Sequence, residues 1–369
     1  MTETFNPTLD RLPYRNVMLS YDIPAPINTF EHPGTYAVIL HDEEVSDLLH
    51  TMYGRPGLAL KCVPMKPQDA RPALALWDKV ELGMCSLVQN LLALEGFAPR
   101  VYGLVVINET HAAQVTDFVA ETDPKDRTNE LMSTFKELGV EPRKSFDTTP
   151  HKGNWRDGLF VDFSGLYMKP EAFGALVANV RQRAYVPKNT PAGRAYEEVC
   201  ELGIRGTRTA AREIPERVVE LSPRGHVLDL GCNLGHFSRR ADRLAGAVRV
   251  VGIEKETEIA QLTRTINVLL GHWNVDTVCA KLPQDANLIP ELNYGLVMCL
   301  SAINYWGCVD AVPWLSSLSP TLYFEGHGSI EASHYLAALE ESYASVERLP
   351  DATDNMRRVQ YFCRGGDQA

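Results

Sequence analysis

Residues 225–256 constrain the chain more than any other stretch. An apolar run (Val227, Leu228, Leu230) leads into a turn built on Gly231, Asn233 and Gly235, and a helix is expected from about Phe237. A second apolar run, Val248 to Ile253, ends on an acid, Glu254. A strand, a glycine turn, a helix and a second strand ending in a carboxylate make the unit that cradles a nucleoside at the carboxyl ends of parallel strands. Glycine there lets backbone approach a ligand where a Cβ would collide. Glu254 is suited to accept from both ribose hydroxyls.

The turn also narrows the choice of nucleoside. A dinucleotide fold carries Gly-x-Gly-x-x-Gly packed against a pyrophosphate. Here the run is Asp229-Leu-Gly231-Cys-Asn233-Leu-Gly235, with an acid just before the first glycine. A carboxylate in that place would repel a pyrophosphate and suits a cation, such as the methionine end of S-adenosylmethionine. The spacing Asp229-x-Gly231-x-x-x-Gly235, followed by Glu254, resembles the first two motifs of class I S-adenosylmethionine-dependent methyltransferases. The residues alone leave open a βαβ unit for another nucleotide.

With 369 residues the chain is long enough for two domains, and 45% hydrophobic content supplies two cores. A net charge of −11 argues against broad nucleic-acid binding, which needs a basic face, although Arg205, Arg208 and Arg212 form a local basic group. The amino terminus lacks a signal-peptide layout and no apolar run is long enough to span a bilayer, so a cytoplasmic location without membrane attachment is expected. The 8 cysteines are scattered without a Cys-x-x-Cys pair and read as reduced core residues rather than a disulfide frame or zinc site. No metal site is expected.

In the carboxy-terminal half, residues 196–220 carry apolar positions at mixed three- and four-residue intervals, which predicts helix broken near Pro215. After the first strand, turn and second strand, a helix is expected over Thr257 to Leu270, with Gly271 as its stop. Strands follow at Asp276–Ala280, Tyr294–Ser301 and Thr321–His327, and two more at Ala344–Leu349 and Arg358–Cys363 close the domain as an antiparallel pair. The expected fold class is α/β: a seven-stranded Rossmann-like sheet with helices on both faces, over residues 186–369. It is preceded by an α+β domain over residues 1–185, with a Pro- and Gly-rich linker at 186–195.

This order is similar to the class I methyltransferase fold, and the resemblance implies roles for individual residues. Asp229, Gly231, Asn233 and Gly235 would surround the methionine part of the cofactor, with Phe237 beside them. Glu254 would hold the ribose and Lys255 or Ile253 would lie along the adenine. Ser301 and Ala302 would stand near the sulfonium, and Arg205 would close over the methionine carboxylate. Relatives often carry an acid after the third strand for the adenine amino group. Here Ala280-Lys281-Leu282 stands instead, which turns attention to backbone groups, Gln284 or Asp285.

The acceptor is narrowed by what is missing. Amino-group methylation often goes with an Asn/Asp-Pro-Pro-Tyr/Phe run after the fourth strand, whereas this chain reads Ser301-Ala-Ile-Asn304-Tyr305-Trp306. The Leu-Ser-x-x-x-Tyr pattern looks more like enzymes that methylate hydroxyl or phosphate oxygens, including those that cap polysaccharides. A neutral hydroxyl is a poor nucleophile and needs a base. His327, at the end of the fifth strand, has a suitable intrinsic pKa, with Glu325 to orient it or the substrate. The bland alternative is that His327 satisfies a loop and Glu325 pairs with an arginine.

The amino-terminal half does not extend the cofactor sheet. A strand lysine, Lys61, precedes a helix with Glu81, two further strands, Asn154 and an Asp162-Phe-Ser-Gly165 run. This series resembles the protein-kinase-like phosphotransferase fold in reduced form. No Gly-x-Gly-x-x-Gly loop precedes Lys61, and Asp147 is out of register with Asn154 for a catalytic acid, so an inactive lobe is expected. Such a half would shape the acceptor site or mediate dimer contacts. The expected function is therefore methyl transfer from S-adenosylmethionine to an oxygen of a small-molecule or glycan-type acceptor. The alternatives are N-methylation of a small molecule, or a non-catalytic kinase-like binding module beside a methyltransferase-like domain.

Overall fold

The computed structural model describes residues 14–16, 38–41, 43–64, 79–107, 111–119, 127–142, 155–161, 166–185, 195–208, 212–222, 224–244, 246–302, 311–326, 332–350 and 358–365. The chain divides into two compact units: Met1–Asn179 with Val268–Trp273, and Val180–Asn267 with Asn274–Ala369.

The first unit begins with β1 (Tyr14–Asn16), β2 (Val38–Leu40), α1 (Glu43–Tyr53), β3 (Leu58–Pro64), α2 (Lys79–Leu94), β4 (Val101–Val106) and β5 (His111–Asp117). These strands form one mixed sheet in the order β1-β4-β5-β3-β2. Val45, Leu49 and Tyr53, spaced for one face of α1, pack on Leu58, Leu60 and Cys62 of β3. Then come α3 (Thr128–Leu138), β6 (Val140–Pro142), the hairpin β7 (Trp155–Arg156) and β8 (Leu159–Phe160), β9 (Leu166–Met168) and α4 (Pro170–Ala184). The expected strand holding Lys61, the following helix and the next two strands are all present.

The second unit opens differently from expectation. Residues 196–208 are not helical: β10 (Ala195–Glu197) pairs in parallel with β11 (Gly206–Arg208) around a short 3-10 turn at Cys200–Leu202. Ala195, Glu197 and Val199 are buried in alternation, the period of a strand. A Cβ at Gly206 would run into the backbone of Glu197 and Glu198, so that glycine permits the close crossing. Among the described residues of this stretch, only α5 (Glu216–Leu221) is α-helix, and Pro215 precedes it.

The remaining elements follow the expected order: β12 (Gly225–Leu230), α6 (His236–Asp242), β13 (Ala247–Glu254), α7 (Thr257–Leu269) and β14 (Val275–Cys279). They continue as β15 (Tyr294–Leu300), α8 (Val312–Leu318), β16 (Thr321–Glu325), α9 (Ala332–Ser342), β17 (Ser345–Leu349) and β18 (Gln360–Arg364). The sheet runs β14-β13-β12-β15-β16-β18-β17, parallel except for β18, which is antiparallel to both its neighbours. Side-chain alternation splits the core in two. Leu228, Val251, Val297 and Phe324 face α8 and α9 through Leu315, Tyr335 and Leu339. Val227, Val250, Met298 and Tyr323 face α5 and α6 through Val218, Phe237 and Ala241. Burial on both faces is why β12, β13, β15 and β16 read as nearly unbroken apolar runs.

Candidate cofactor site

The turn after β12 is held by backbone. The amides of Gly231 and Cys232 both donate to the Ile253 carbonyl, at 2.9 and 2.8 Å, tying the turn to the end of β13. Gly231, Asn233 and Gly235 take left-handed backbone, with φ of 78, 48 and 79°. Glycine enters that region freely, and asparagine is one of the few other residues that tolerate it. A Cβ on Gly235 would lie 2.9 Å from Thr263 Cγ2, and one on Gly231 3.0 Å from the Ala302 Cβ. In β13, Gly252 makes room for the Cys232 Sγ and Ser238 Oγ, each of which a Cβ would meet at 2.9 Å.

Three buried carboxylates converge on this turn. Glu254 accepts from the Asn233 amide through Oε2 at 3.0 Å and from the Glu256 amide through Oε1 at 2.9 Å. One donor on each oxygen sets the plane of the carboxylate and leaves acceptor capacity for a diol. Burial raises its pKa, opposed by these backbone amides. Asp229 accepts from the Ser238 hydroxyl at 2.5 Å. Burial pushes its carboxyl up to about 6, with the Ser238 hydrogen bonds pulling it back. Glu197 of β10 accepts from the His236 amide at 3.3 Å. Burial lifts this group to about 7 despite the charges of Arg208 and Arg239. The Cys232 thiol feels all three anions, and its pKa is held well above the ordinary range, first by burial and then by their charge.

Other expected residues fall in varied places. Ser301, at the end of β15, is buried with φ of 61°, and its amide donates to the Glu325 carbonyl at 2.9 Å. A non-glycine residue in that region stores about 1–3 kcal/mol of strain, a feature that clusters at functional sites. Lys255 is half exposed, with its ammonium 4.0 Å from Glu256 Oε1. Arg205 is exposed between the 3-10 turn and β11, its amide donating to the Tyr185 hydroxyl at 3.0 Å. Phe237 packs into the core with Val218, Val227 and Val250. Asp285 accepts from the Lys281 amide at 2.8 Å, which closes the loop after β14. Glu325 is fully buried; Arg358 donates to its Oε1 at 3.0 Å, and Arg212 and Gln360 donate to its Oε2. His327, Asn304, Tyr305 and Trp306 lie outside the described residues, as do Asn154 and Asp162.

Glu197, Ser238 and Arg239 surround the turn without having been expected there from the sequence. Ser238 and Arg239 follow the turn directly, but nothing in their spacing marks them. Glu197 lay in a stretch read as helix, and helical spacing would not single it out.

The turn lies between β12 and β15, where the strand order reverses, which is the switch point at which doubly wound sheets bind ligands. Beyond β16 the sheet closes with the antiparallel β18 and then β17. This strand order, with the antiparallel β18 between β16 and β17, resembles that of class I S-adenosylmethionine-dependent methyltransferases. The site suits the nucleoside that the resemblance implies. The cradle leaves no room for a Cβ at Gly231 or Gly235, and Glu254 keeps acceptor capacity that a diol could use. Asn233 Oδ1 is a buried oxygen with no donor among the described residues.

No known family profile and no curated protein matches the chain. Solved structures do. The amino-terminal domain of EvdMO1, determined in the presence of SAH and D-fucose, is 13% identical with a TM-score of 0.38, over 53% of this chain and 97% of that one. The bifunctional kinase-methyltransferase WbdD is 16% identical with a TM-score of 0.37, over 51% of this chain and 46% of its own. The YcgJ protein from Bacillus subtilis is 13% identical with a TM-score of 0.31, over 36% of this chain and 67% of its own. The likeness of the second unit to the methyltransferase fold is read from its own strand order. The matched region spans about half the length of WbdD.

Proposed function

We propose that the protein is an S-adenosylmethionine-dependent methyltransferase that acts on an oxygen of a small-molecule or glycan-type acceptor. The observation that carries this reading is the convergence of Glu254 and Asp229 on a left-handed glycine turn at the switch point of the sheet. Glu254 holds the ribose and Asp229 faces the cationic end. Gly231 and Gly235 admit the ligand close to backbone, and Ser301 and Ala302 stand at the reacting end. When bound, S-adenosylmethionine supplies a sulfonium methyl open to in-line displacement. The protein's contribution is alignment and exclusion of water. We assign His327 the proton of the acceptor hydroxyl. Glu325, with both oxygens held by Arg212, Arg358 and Gln360, secures the end of β16, two residues before that histidine in the chain. A small-molecule acceptor in the cytoplasm is in keeping with the acidic net charge and the free cysteines among the described residues.

Calorimetric titration with S-adenosylhomocysteine tests the cofactor site. We expect micromolar binding that Glu254→Ala weakens by about tenfold to a hundredfold, the worth of one or two charge-assisted hydrogen bonds. A second reading has one observation in its favour: the Lys61 ammonium donates at 3.0 Å to the carbonyl of Val161, the residue that precedes Asp162 in the chain. If Mg-ATP binds, Lys61→Ala abolishes that binding and the adenosyl ligands do not bind, the chain is a kinase-like binding module instead.

A further inference from the structure

The carboxyl end of β16 carries a guanidinium that its protein partner does not use up. Gln360 of β18 stands opposite Glu325, and the Gly326 amide donates to the Val359 carbonyl at 2.9 Å. That pairing brings Arg358 to the end of the sheet where the Ser301 amide meets the Glu325 carbonyl. Arg358 and Gln360, two residues apart, both donate to the Glu325 carboxylate and so share one face of the sheet. Arg358 is 5% exposed and reaches Glu325 Oε1 through Nη1 at 3.0 Å. Its Nε, on another edge of the guanidinium, is buried with no acceptor among the described residues. Holding Glu325 takes one of the five N–H donors of an arginine, and a lysine would serve as well. Burying a further polar N–H without a partner is costly, so the edge that carries Nε calls for an acceptor from outside the chain.

We propose that Arg358 is a specificity-determining residue for the methyl acceptor: its Nε edge binds a carboxylate carried by that molecule, while Nη1 stays on Glu325. This inference rests on the methyltransferase reading above and narrows its acceptor to a hydroxy compound that bears a carboxylate. The geometry fits, because a guanidinium edge offers parallel N–H groups to a planar oxyanion. The charge fits as well. Glu325 gives one oxygen to Arg212 and the other to Arg358, so the three side chains together carry +1, the complement of a singly charged group. The site stands at the carboxyl ends of the strands, where β15 ends on Ser301 and the reacting end of the cofactor is placed.

The test is a set of thermal melts on the full chain at pH 8, with sodium acetate exchanged for sodium chloride at constant ionic strength, with and without S-adenosylhomocysteine. Acetate should raise the Tm of the wild type with a half-saturating concentration in the millimolar range. Arg358→Lys keeps a cation for Glu325 but has no Nε edge, and should raise that concentration by about tenfold or more. A purely structural Arg358 would lower Tm in the variant and leave the acetate response unchanged, which would overturn the proposal. So would a wild type that gains nothing from acetate, whether or not the variant folds. Stabilisation by sodium phosphate in place of acetate would show a site for a doubly charged group and overturn the carboxylate assignment. S-Adenosylhomocysteine binding is read separately by calorimetry. Its absence removes the methyltransferase reading, while its presence with no acetate response removes only this inference.

Discussion

At the residue scale, the buried acids around the turn make the protein sensitive to pH. Asp229 and Glu197 have ordinary values of 3.8 and 4.5 and are raised to about 6 and about 7 in the fold. Asp229 is faced by Ser238, Arg239 and Glu254, and Glu197 by Arg208, Arg239, Asp229 and the His236 amide. The sign follows from proton binding. Across a window of roughly pH 4 to 7 the folded state keeps protons that the unfolded chain has released, so these groups lower stability as pH rises. Glu197→Gln does not titrate. In thermal melts without ligand, its Tm relative to wild type should therefore climb between pH 5 and 8; a flat difference would mean that Glu197 is already ionised at pH 5. His236, lowered from 6.5 to about 4 chiefly by burial, acts in the opposite sense: between those values the unfolded chain holds a proton that the fold does not, so it raises stability as pH rises, and equally in wild type and variant.

At the scale of elements, β16 is joined to β18 and to the segment before α5 by the Arg212–Glu325–Arg358 cluster, whose side chains are 5%, 0% and 5% exposed. Removing the central carboxylate leaves two buried guanidiniums facing each other. Glu325→Ala should cost about 3–5 kcal/mol in chemical denaturation, far more than loss of an exposed pair. A cost below about 1 kcal/mol would show that the cluster is replaceable and return Glu325 to candidacy as a substrate-facing group. The same scale explains why residues 196–208 form strand and turn where their spacing predicts helix. Val199 and Leu202 stand three residues apart, as on one face of a helix, and Ile204 follows two residues later. In the fold, Gly203 at φ 66° and the pairing of β10 with β11 turn them inward by another route. Local spacing is a weak guide where long-range strand pairing competes with it.

For the whole molecule, charge sets the class of partner. A net charge of −11 argues against a broad basic face for phosphates, and among the described residues Arg208, Arg212 and Arg239 beside the turn are drawn into the fold. Labelled single-stranded RNA and duplex DNA should show no binding in anisotropy titrations at about 150 mM salt, where electrostatic contacts are already weakened. Salt-dependent binding there would redirect the acceptor search toward nucleic acid.

Much of this architecture is legible in the sequence because the signals are local. The apolar runs of β12, β13, β15 and β16, the left-handed positions at Gly231, Asn233 and Gly235, and the acids Asp229 and Glu254 all lie on short stretches whose chemistry stands on its own. Only the folded chain shows that Glu325 is held between two arginines. It alone shows that Phe237 joins the core and that Glu197 stands beside Arg208 near Asp229. The physical reason is that a carboxylate's role depends on what desolvates it and which charges surround it. Those neighbours come from strands and turns far apart in the chain, brought together only by the packing of the sheet.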